Sequence, residues 1–239
     1  IDGNNELSDL IIQRIKEEKN FENVRQLLGN PLLVSILYKT FEIGGCVNFD
    51  VLYKKTEFYK QIYYALYERH DRSKAPEYEH KKKSGLDLSD FNSVLRRIGF
   101  SCLEEDKIEY DRTGMLQIID EVLKKMKWIQ TTKEGILNDL IYAVPYLQEF
   151  NYNLRWSHKS FIEYFSACHI CNDIQDKGMV FELLCKKPDR YFGVLDFCSD
   201  LDTKIFRINV VYPVLIEFLT KYEKTVNQLQ VRENDLNFR

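Results

Sequence analysis

"RWSHKSFIEYFSACHIC", residues 155–171, joins a β-leaning segment to an apolar helix and places a histidine at the junction. The apolar residues after His158 recur at three- and four-residue spacings, which is typical of a helix. Ser157 is a good N-cap residue, so we expect this helix to begin near Lys159. The stretch therefore predicts that the ring of His158 lies beside the free N–H groups of a helix N-terminus.

The sequence before this stretch predicts a winged-helix unit. A helical pattern over 86–105 precedes a short extended piece at 107–111, and a second helix follows from Thr113. Two β-leaning segments, 128–132 and 140–158, then lie on either side of a turn. Helix, strand, helix, strand pair and helix is the order of a small winged-helix unit.

The whole chain is predicted to be mainly α, because its 239 residues include only ten glycines and five prolines and most apolar residues have helical spacing. The charged segment 71–85 has almost no aliphatic residues, so we interpret it as a solvated linker and place a domain boundary there. We predict a helical bundle domain at 1–80, a winged-helix domain with a small β-hairpin at 85–170, and the start of a second helical domain at 171–239. A helix before the linker is expected to bury a face made of Phe58, Tyr59, Ile62, Tyr63 and Leu66.

Composition argues against several classes of protein. Thirty-four basic and thirty-seven acidic residues give a formal charge of -3, which argues against the broad positive field of a dedicated nucleic-acid-binding protein. No apolar run approaches the roughly 18 residues that a membrane-spanning helix needs. Six cysteines without an extracellular spacing pattern are typical of reduced thiols in a cytoplasmic protein. Because the chain opens at Ile1 and enters a helical pattern almost at once, we expect it to be a piece of a longer polypeptide.

No catalytic or metal-binding residue is predicted. A phosphate-binding P-loop needs Gly-Lys followed by a hydroxyl residue, and no glycine is followed by lysine here. The chain alone is therefore not expected to hydrolyse a nucleotide. Cys168 and Cys171 have zinc-ligand spacing, but a closed zinc site needs a second pair of ligands, and none follows nearby. Cys168 lies on the apolar face of its helix, which favours core packing.

On the residues alone, two other interpretations of the winged-helix unit remain open. A DNA-binding regulator would use the helix over 113–127 for recognition, but Asp120 and Glu121 in its middle oppose the approach of phosphate. A purely structural helical interaction module would need no ligand site. Anions bind at helix N-termini, yet the spacing around His158 alone favours a structural histidine over a ligand-binding one.

Two stretches of the chain match the motifs of a known family. "VRQLLGNPLLVSILYKTFEIGG" and "VLYKKTEFYKQIYYALYERHD", within 24–71, resemble the first helical domain after the nucleotide-binding core of NACHT-type signalling NTPases, which belong to the STAND class. "LRWSHKSFIEYFSACHI", residues 154–170, resembles the end of the winged-helix domain of the same family, where an aromatic-x-His motif precedes Glu-Tyr-Phe. Neither motif is unique, but the resemblance covers about 7–171 in the family's order and spacing.

The resemblance implies the regulatory arm of a NACHT or STAND ATPase. In that family the Gly-x-Pro segment, here Gly29 and Pro31, packs against adenine, and the winged-helix histidine, here His158, contacts the β-phosphate of ADP in a closed resting state. It implies ADP and ATP as ligands, with Mg²⁺ supplied through a nucleotide-binding core upstream in the same chain. It further implies homo-oligomerisation in the active state, and a cytoplasmic role in immune or antiviral signalling that a protein trigger starts.

Overall fold

The computed structural model describes residues 54–72 and 82–237, together with the single positions 9, 12, 31, 34 and 35. The described chain is mainly helical and contains a three-stranded antiparallel sheet, which confirms the predicted fold class. It divides into two compact units, 1–169 and 170–239. Apart from the single positions, the helices predicted before residue 54 lie outside the described residues.

The first unit holds the winged-helix order of elements. In chain order its described elements are α1 (Lys55–Arg72), α2 (Leu88–Glu105), β1 (Glu109–Tyr110), α3 (Arg112–Lys125), α4 (Lys133–Asn138), a π-helical turn (Asp139–Ala143), β2 (Leu147–Phe150), β3 (Asn153–Trp156) and α5 (Lys159–Asn172). The sheet order is β1-β3-β2, and both pairs are antiparallel. The strand that leads into α5 is therefore the central one.

The hairpin of β2 and β3 sorts its residues onto two faces. Its turn residues, 151–152, have positive φ angles of 48° and 67°, the geometry of a two-residue hairpin turn. In the resulting register Gln148 lies opposite Arg155, and Leu147 lies opposite Trp156. Because side chains alternate along a strand, the first pair is exposed to solvent while the second pair is buried in the core.

The segment between α3 and β2 is a turn and a loop followed by helix, so the strand predicted at 128–132 and the first part of the one predicted over 140–158 are wrong. Residues 128–132 form a turn and a loop, and the first part of the predicted 140–158 segment lies in the π-helical turn. The hydroxyl of Thr132 starts α4 by accepting the N–H of Gly135 at 3.1 Å. The apolar residues of α4 and the following turn are buried, and this tertiary packing outweighs the local β preference of the segment.

Buried tyrosines attach α1 to the rest of the first unit. All five residues of the face predicted for α1 are buried. Tyr59 packs edge-on against Phe161 of α5, with ring centroids 5.6 Å apart. Tyr63 and Tyr67 donate hydrogen bonds of 2.5 and 2.6 Å to backbone carbonyls at the start of α2. These bonds satisfy buried hydroxyl groups, so α1 is held by polar as well as apolar contacts.

The end of the predicted linker is fixed to the same unit. Asp139 is fully buried and accepts the backbone N–H groups of Lys83 and Ser84 at 2.7 and 2.9 Å. The ammonium group of Lys82 lies 3.3 Å from the ring centroid of Tyr67, close enough for a cation–π interaction. This end of the linker is therefore held in place by the first unit, although Lys83 remains exposed to solvent. The domain boundary proposed in this linker stays a prediction.

The second unit is entirely helical in its described part. In chain order its elements are α6 (Lys177–Cys185), α7 (Pro188–Leu201), α8 (Thr203–Phe206), a second π-helical turn (Arg207–Val211) and α9 (Tyr212–Asn237). A small core contains Phe181, Leu184, Val194, Phe197 and Cys198. By contrast, the large apolar residues of the first three turns of α9 are exposed.

Candidate functional site

The junction between β3 and α5 is capped by His158 and not by Ser157. The Ser157 hydroxyl points back toward the chain before β2, where the carbonyl oxygens of Pro145 and Tyr146 lie 3.1 and 3.0 Å away. The helix begins at Lys159 as predicted. Nδ1 of His158 accepts the backbone N–H of Ser160 at 3.2 Å, which satisfies one of the free donors of the first turn. An imidazole thus takes the position that usually belongs to a hydroxyl or carboxylate.

A chain of hydrogen bonds connects this cap to α1. The Tyr59 hydroxyl donates to Oγ of Ser160 at 2.6 Å, and the same Oγ lies 2.5 Å from Nδ1 of His158. Because Nδ1 already accepts a backbone N–H, it carries no proton, and the Ser160 hydroxyl must donate to it. The proton of the neutral ring is consequently on Nε2.

Partial burial favours the neutral form of this imidazole. Although His158 is exposed overall, its partial burial lowers the pKa of the ring, and the nearby Glu163 opposes that shift only in part. Burial also raises the pKa of Tyr59 far above neutrality, so its hydroxyl stays a donor. In the described part of the chain, Nε2 of His158 has no hydrogen-bond partner. It is therefore an N–H donor that a ligand can use.

His158 lies on the wall of a groove between the hairpin and the start of α5. The groove has a volume of about 370 Å³ and is lined by Ile108, Gln148, Glu149, Phe150, Arg155, Trp156, Ser157, His158 and Lys159. Lys159 forms an ion pair with Glu163 at 3.3 Å. Arg155 is exposed and makes no ion pair within residues 54–72 and 82–237. A donor ring, a guanidinium group and an ammonium group thus share one groove, with Glu149 as the opposing charge.

The other two residues of the predicted nucleotide site are not brought to this groove by any described contact. Pro31 has helical backbone and is exposed, whereas Gly29 lies outside the described residues. An exposed proline is compatible with the expected contact to adenine. The nucleotide contacts assigned to Gly29, Pro31 and His158 stay predictions.

The surfaces that a DNA-binding winged helix would use are poorly suited to DNA. On α3, Lys124 is paired with Asp120 at 2.6 Å, and Lys133 approaches the same carboxylate at 3.8 Å. The helix that follows, α4 with its π-helical turn, is mostly buried. Basic groups that are already neutralised release few counterions from DNA. Of the basic residues at the end of α3, Lys125 is exposed without an ion pair in the described part of the chain, so the surface keeps only a small positive charge for phosphate.

The cysteines with zinc-ligand spacing are core residues. Cys168 and Cys171 are both buried, as expected for packing on the apolar side of α5. Among the described residues, no group of three or more histidine, cysteine, aspartate or glutamate side chains is placed to hold a metal ion. In residues 54–72 and 82–237, no helix is both long enough and apolar enough to cross a membrane.

Sequence reasoning missed three partners of the site. The spacing of His158 and Ser160 indicates a local cap, because a side-chain acceptor commonly takes the N–H two residues later. The groove position of Arg155 follows from strand alternation once the hairpin register is known. Nothing in the sequence pairs Tyr59 with Ser160, since 101 positions separate them.

Comparison of the chain with protein-family models, with curated proteins and with solved structures found no match.

Proposed function

We propose that this chain is the nucleotide-sensing arm of a NACHT-type STAND ATPase and that His158 is its contact to the β-phosphate of ADP. One observation supports this assignment above all: the hydrogen bonds from Tyr59 through Ser160 fix the imidazole tautomer and leave Nε2–H free at the groove. A fixed neutral donor is suited to an oxygen of a bound anion.

The charges around the groove support a phosphate ligand. Arg155 and Lys159 lie on either side of His158, and the N-terminal end of α5 adds the positive end of a helix dipole. Hydrogen bonds between such groups and a phosphate oxygen contribute about 1.5–3 kcal/mol each. A bound phosphate would also raise the pKa of His158, so ADP binding would be coupled to proton uptake.

In this proposal, most of the rest of the nucleotide site belongs to polypeptide outside this sequence. A nucleotide-binding core would supply the P-loop and Mg²⁺, and the segment of Gly29 and Pro31 would contact adenine. ADP would then join the core to this arm and hold a resting state. Exchange for ATP would shift the balance toward an assembling state, because a ligand favours the conformation that it binds more tightly. Homo-oligomerisation, a protein trigger and cytoplasmic immune or antiviral signalling complete the proposal.

The test measures release of fluorescent ADP from a protein that contains this chain together with its nucleotide-binding core. We expect His158→Ala to release ADP about 10- to 100-fold faster, because one hydrogen bond to a charged oxygen is lost. Lys107→Ala is the matched control, since Lys107 is an exposed basic residue of the same unit outside the groove. An ADP off-rate and an oligomer population that are both unchanged in His158→Ala would contradict the proposal.

A second pair of variants separates positioning from direct contact. Tyr59→Phe and Ser160→Ala leave the imidazole in place but remove the hydroxyl groups that orient it, so we expect an intermediate increase in the ADP off-rate. Binding of mixed-sequence duplex DNA, titrated with salt, tests the regulator interpretation in parallel. Submicromolar affinity with a steep salt dependence would favour the DNA-binding function instead.

A further inference from the structure

The first three turns of α9 present an apolar surface to solvent. Seven large side chains there are between 50% and 66% exposed: Tyr212, Val214, Leu215, Ile216, Phe218, Leu219 and Tyr222. We name this set the α9 face. Isolated exposed apolar residues are common on proteins, but a contiguous set of this size marks an interaction surface.

The spacing within the α9 face is that of a helix-pairing seam. Leu215, Phe218 and Tyr222 of the face, with Val211 at the end of the preceding π-helical turn, follow one another at steps of four, three and four residues, which is the a and d spacing of a coiled coil. The rings of Phe218 and Tyr222 are stacked, with centroids 6.3 Å apart and an interplanar angle of 18°. The same apolar spacing continues in the sequence at Val226. A second helix laid along this row would bury all of these side chains together.

The area of the α9 face is enough for a stable pair of chains. Tyr212, Phe218 and Tyr222 are 66%, 62% and 59% exposed, and an aromatic side chain has an area of about 150–250 Å². Ile216 lies on the side of the helix away from the seam. With the other three aliphatic residues the face exposes on the order of 600 Å², at the lower end of the roughly 600–1,000 Å² that each partner buries in a standard interface.

The charges beside the face favour a second copy of the chain over a membrane or a strongly charged partner. Glu217 forms an ion pair with Lys221, and the next turn again holds one residue of each sign, Glu223 and Lys224. A copy of this helix would meet no net like-charge repulsion. Helices that bind membrane surfaces have a polar side rich in lysine and arginine instead, and this helix does not.

We infer that α9 associates with α9 of a second copy of this chain through the α9 face. The contact is isologous if the two helices are related by a two-fold axis, so each substitution in the face acts twice in a dimer. The inference does not rest on the proposed nucleotide site, because the face lies on a different element and needs no ligand. Failure of one proposal therefore leaves the other standing.

The test is the mass of the 239-residue chain in solution, measured by sedimentation equilibrium without nucleotide. Between about 1 and 100 µM we expect the weight-average mass to rise from the 28.5 kDa of one chain toward at least twice that value. Leu215→Glu and Phe218→Glu should hold the mass at one chain over this range, because each places a charge in the buried seam. Thr220→Glu is the matched control, since it adds the same charge outside the face and should associate like the wild type.

Two results would overturn the inference. One is a wild-type chain that stays at 28.5 kDa at the highest concentration, which would mean that another segment or another partner covers the face. The other is association that persists unchanged in Leu215→Glu and Phe218→Glu. Leu215→Ala distinguishes loss of the seam from loss of the helix. Because alanine favours the helix, this variant should keep α9 helical by circular dichroism. It should still weaken association at least tenfold, since it removes an apolar side chain from the seam.

Discussion

Helix α5 and the first three turns of α9 have similar apolar content but very different surroundings. Phe165 of α5 is completely buried, whereas Phe218 of α9 is 62% exposed. The difference is the presence of covering elements: Tyr146 packs on α5 with its ring 5.2 Å from that of Phe165, and α1 adds the ring of Tyr63 at 6.3 Å. A helical apolar pattern shows that a face favours burial, but it does not identify the partner that buries it.

The same difference separates the two proposed sites. His158 stands at the start of a helix whose core face is fixed by aromatic packing, so its ring is held by a scaffold that does not need a ligand to form. The side chains of the α9 face are largely exposed, and this apolar surface stabilises a structure only when a partner covers it. A preorganised donor is suited to a small ligand, while an exposed apolar row is suited to another helix.

The largest expected effect is on the free energy of unfolding, and it compares the same substitution in both helices. Phe165→Ala should cost about 3–5 kcal/mol, because it leaves a cavity in a packed core. Phe218→Ala should change the stability of the single chain by about 0.5 kcal/mol or less. Chemical denaturation at a concentration well below association measures both values. Equal losses of unfolding free energy in the two variants would mean that Phe218 is buried within a single chain, which would contradict the difference between α5 and α9.

A smaller loss is expected at the buried carboxylate that fixes the start of the winged-helix unit. Asp139→Ala removes the acceptor of two backbone N–H groups and should cost about 2–4 kcal/mol, since buried donors without partners are expensive. Thermal unfolding would show this loss as a fall in melting temperature of about 2–4 °C for each kcal/mol in a protein of this size. Asp120→Ala is the control, because that carboxylate serves only surface lysines and its loss should be near zero. A similar melting temperature for both variants would contradict the role given to Asp139.

The smallest expected effect is the pH dependence contributed by His158. Its pKa in the folded chain lies below the ordinary value of about 6.5, so the unfolded chain binds more protons as the pH falls. The contribution to stability is therefore fully present above about pH 6.5 and is lost as the pH falls through the folded-state pKa. We expect the stability of His158→Asn to decline less than that of the wild type between about pH 7 and 5. Lys107→Ala should keep the wild-type dependence of stability on pH. A steeper decline in His158→Asn would contradict the prediction, because it would mean that folding raises the pKa of His158 instead of lowering it.

Much of the first unit could be predicted from the sequence because its elements are encoded by local periodicity. The buried face of α1, the extended piece that becomes β1, and the start of α5 near Lys159 all follow from residues a few positions apart. The strand predicted at 128–132 forms a turn and a loop, and the first part of the segment predicted over 140–158 lies in the π-helical turn. Local β preference does not record which surface a segment meets.

What the sequence by itself determined is the mainly α fold, the strand-to-helix junction, and the placement of a histidine at that junction, because each depends on spacing along one segment. What only the tertiary structure decided is the state of that histidine and the isolation of α9. The proton on Nε2 follows from a bond to Ser160 that Tyr59 supports from 101 residues away, and the exposure of α9 follows from which elements reach it. Both depend on contacts between segments that are far apart in the sequence, and such segments meet only when the chain folds.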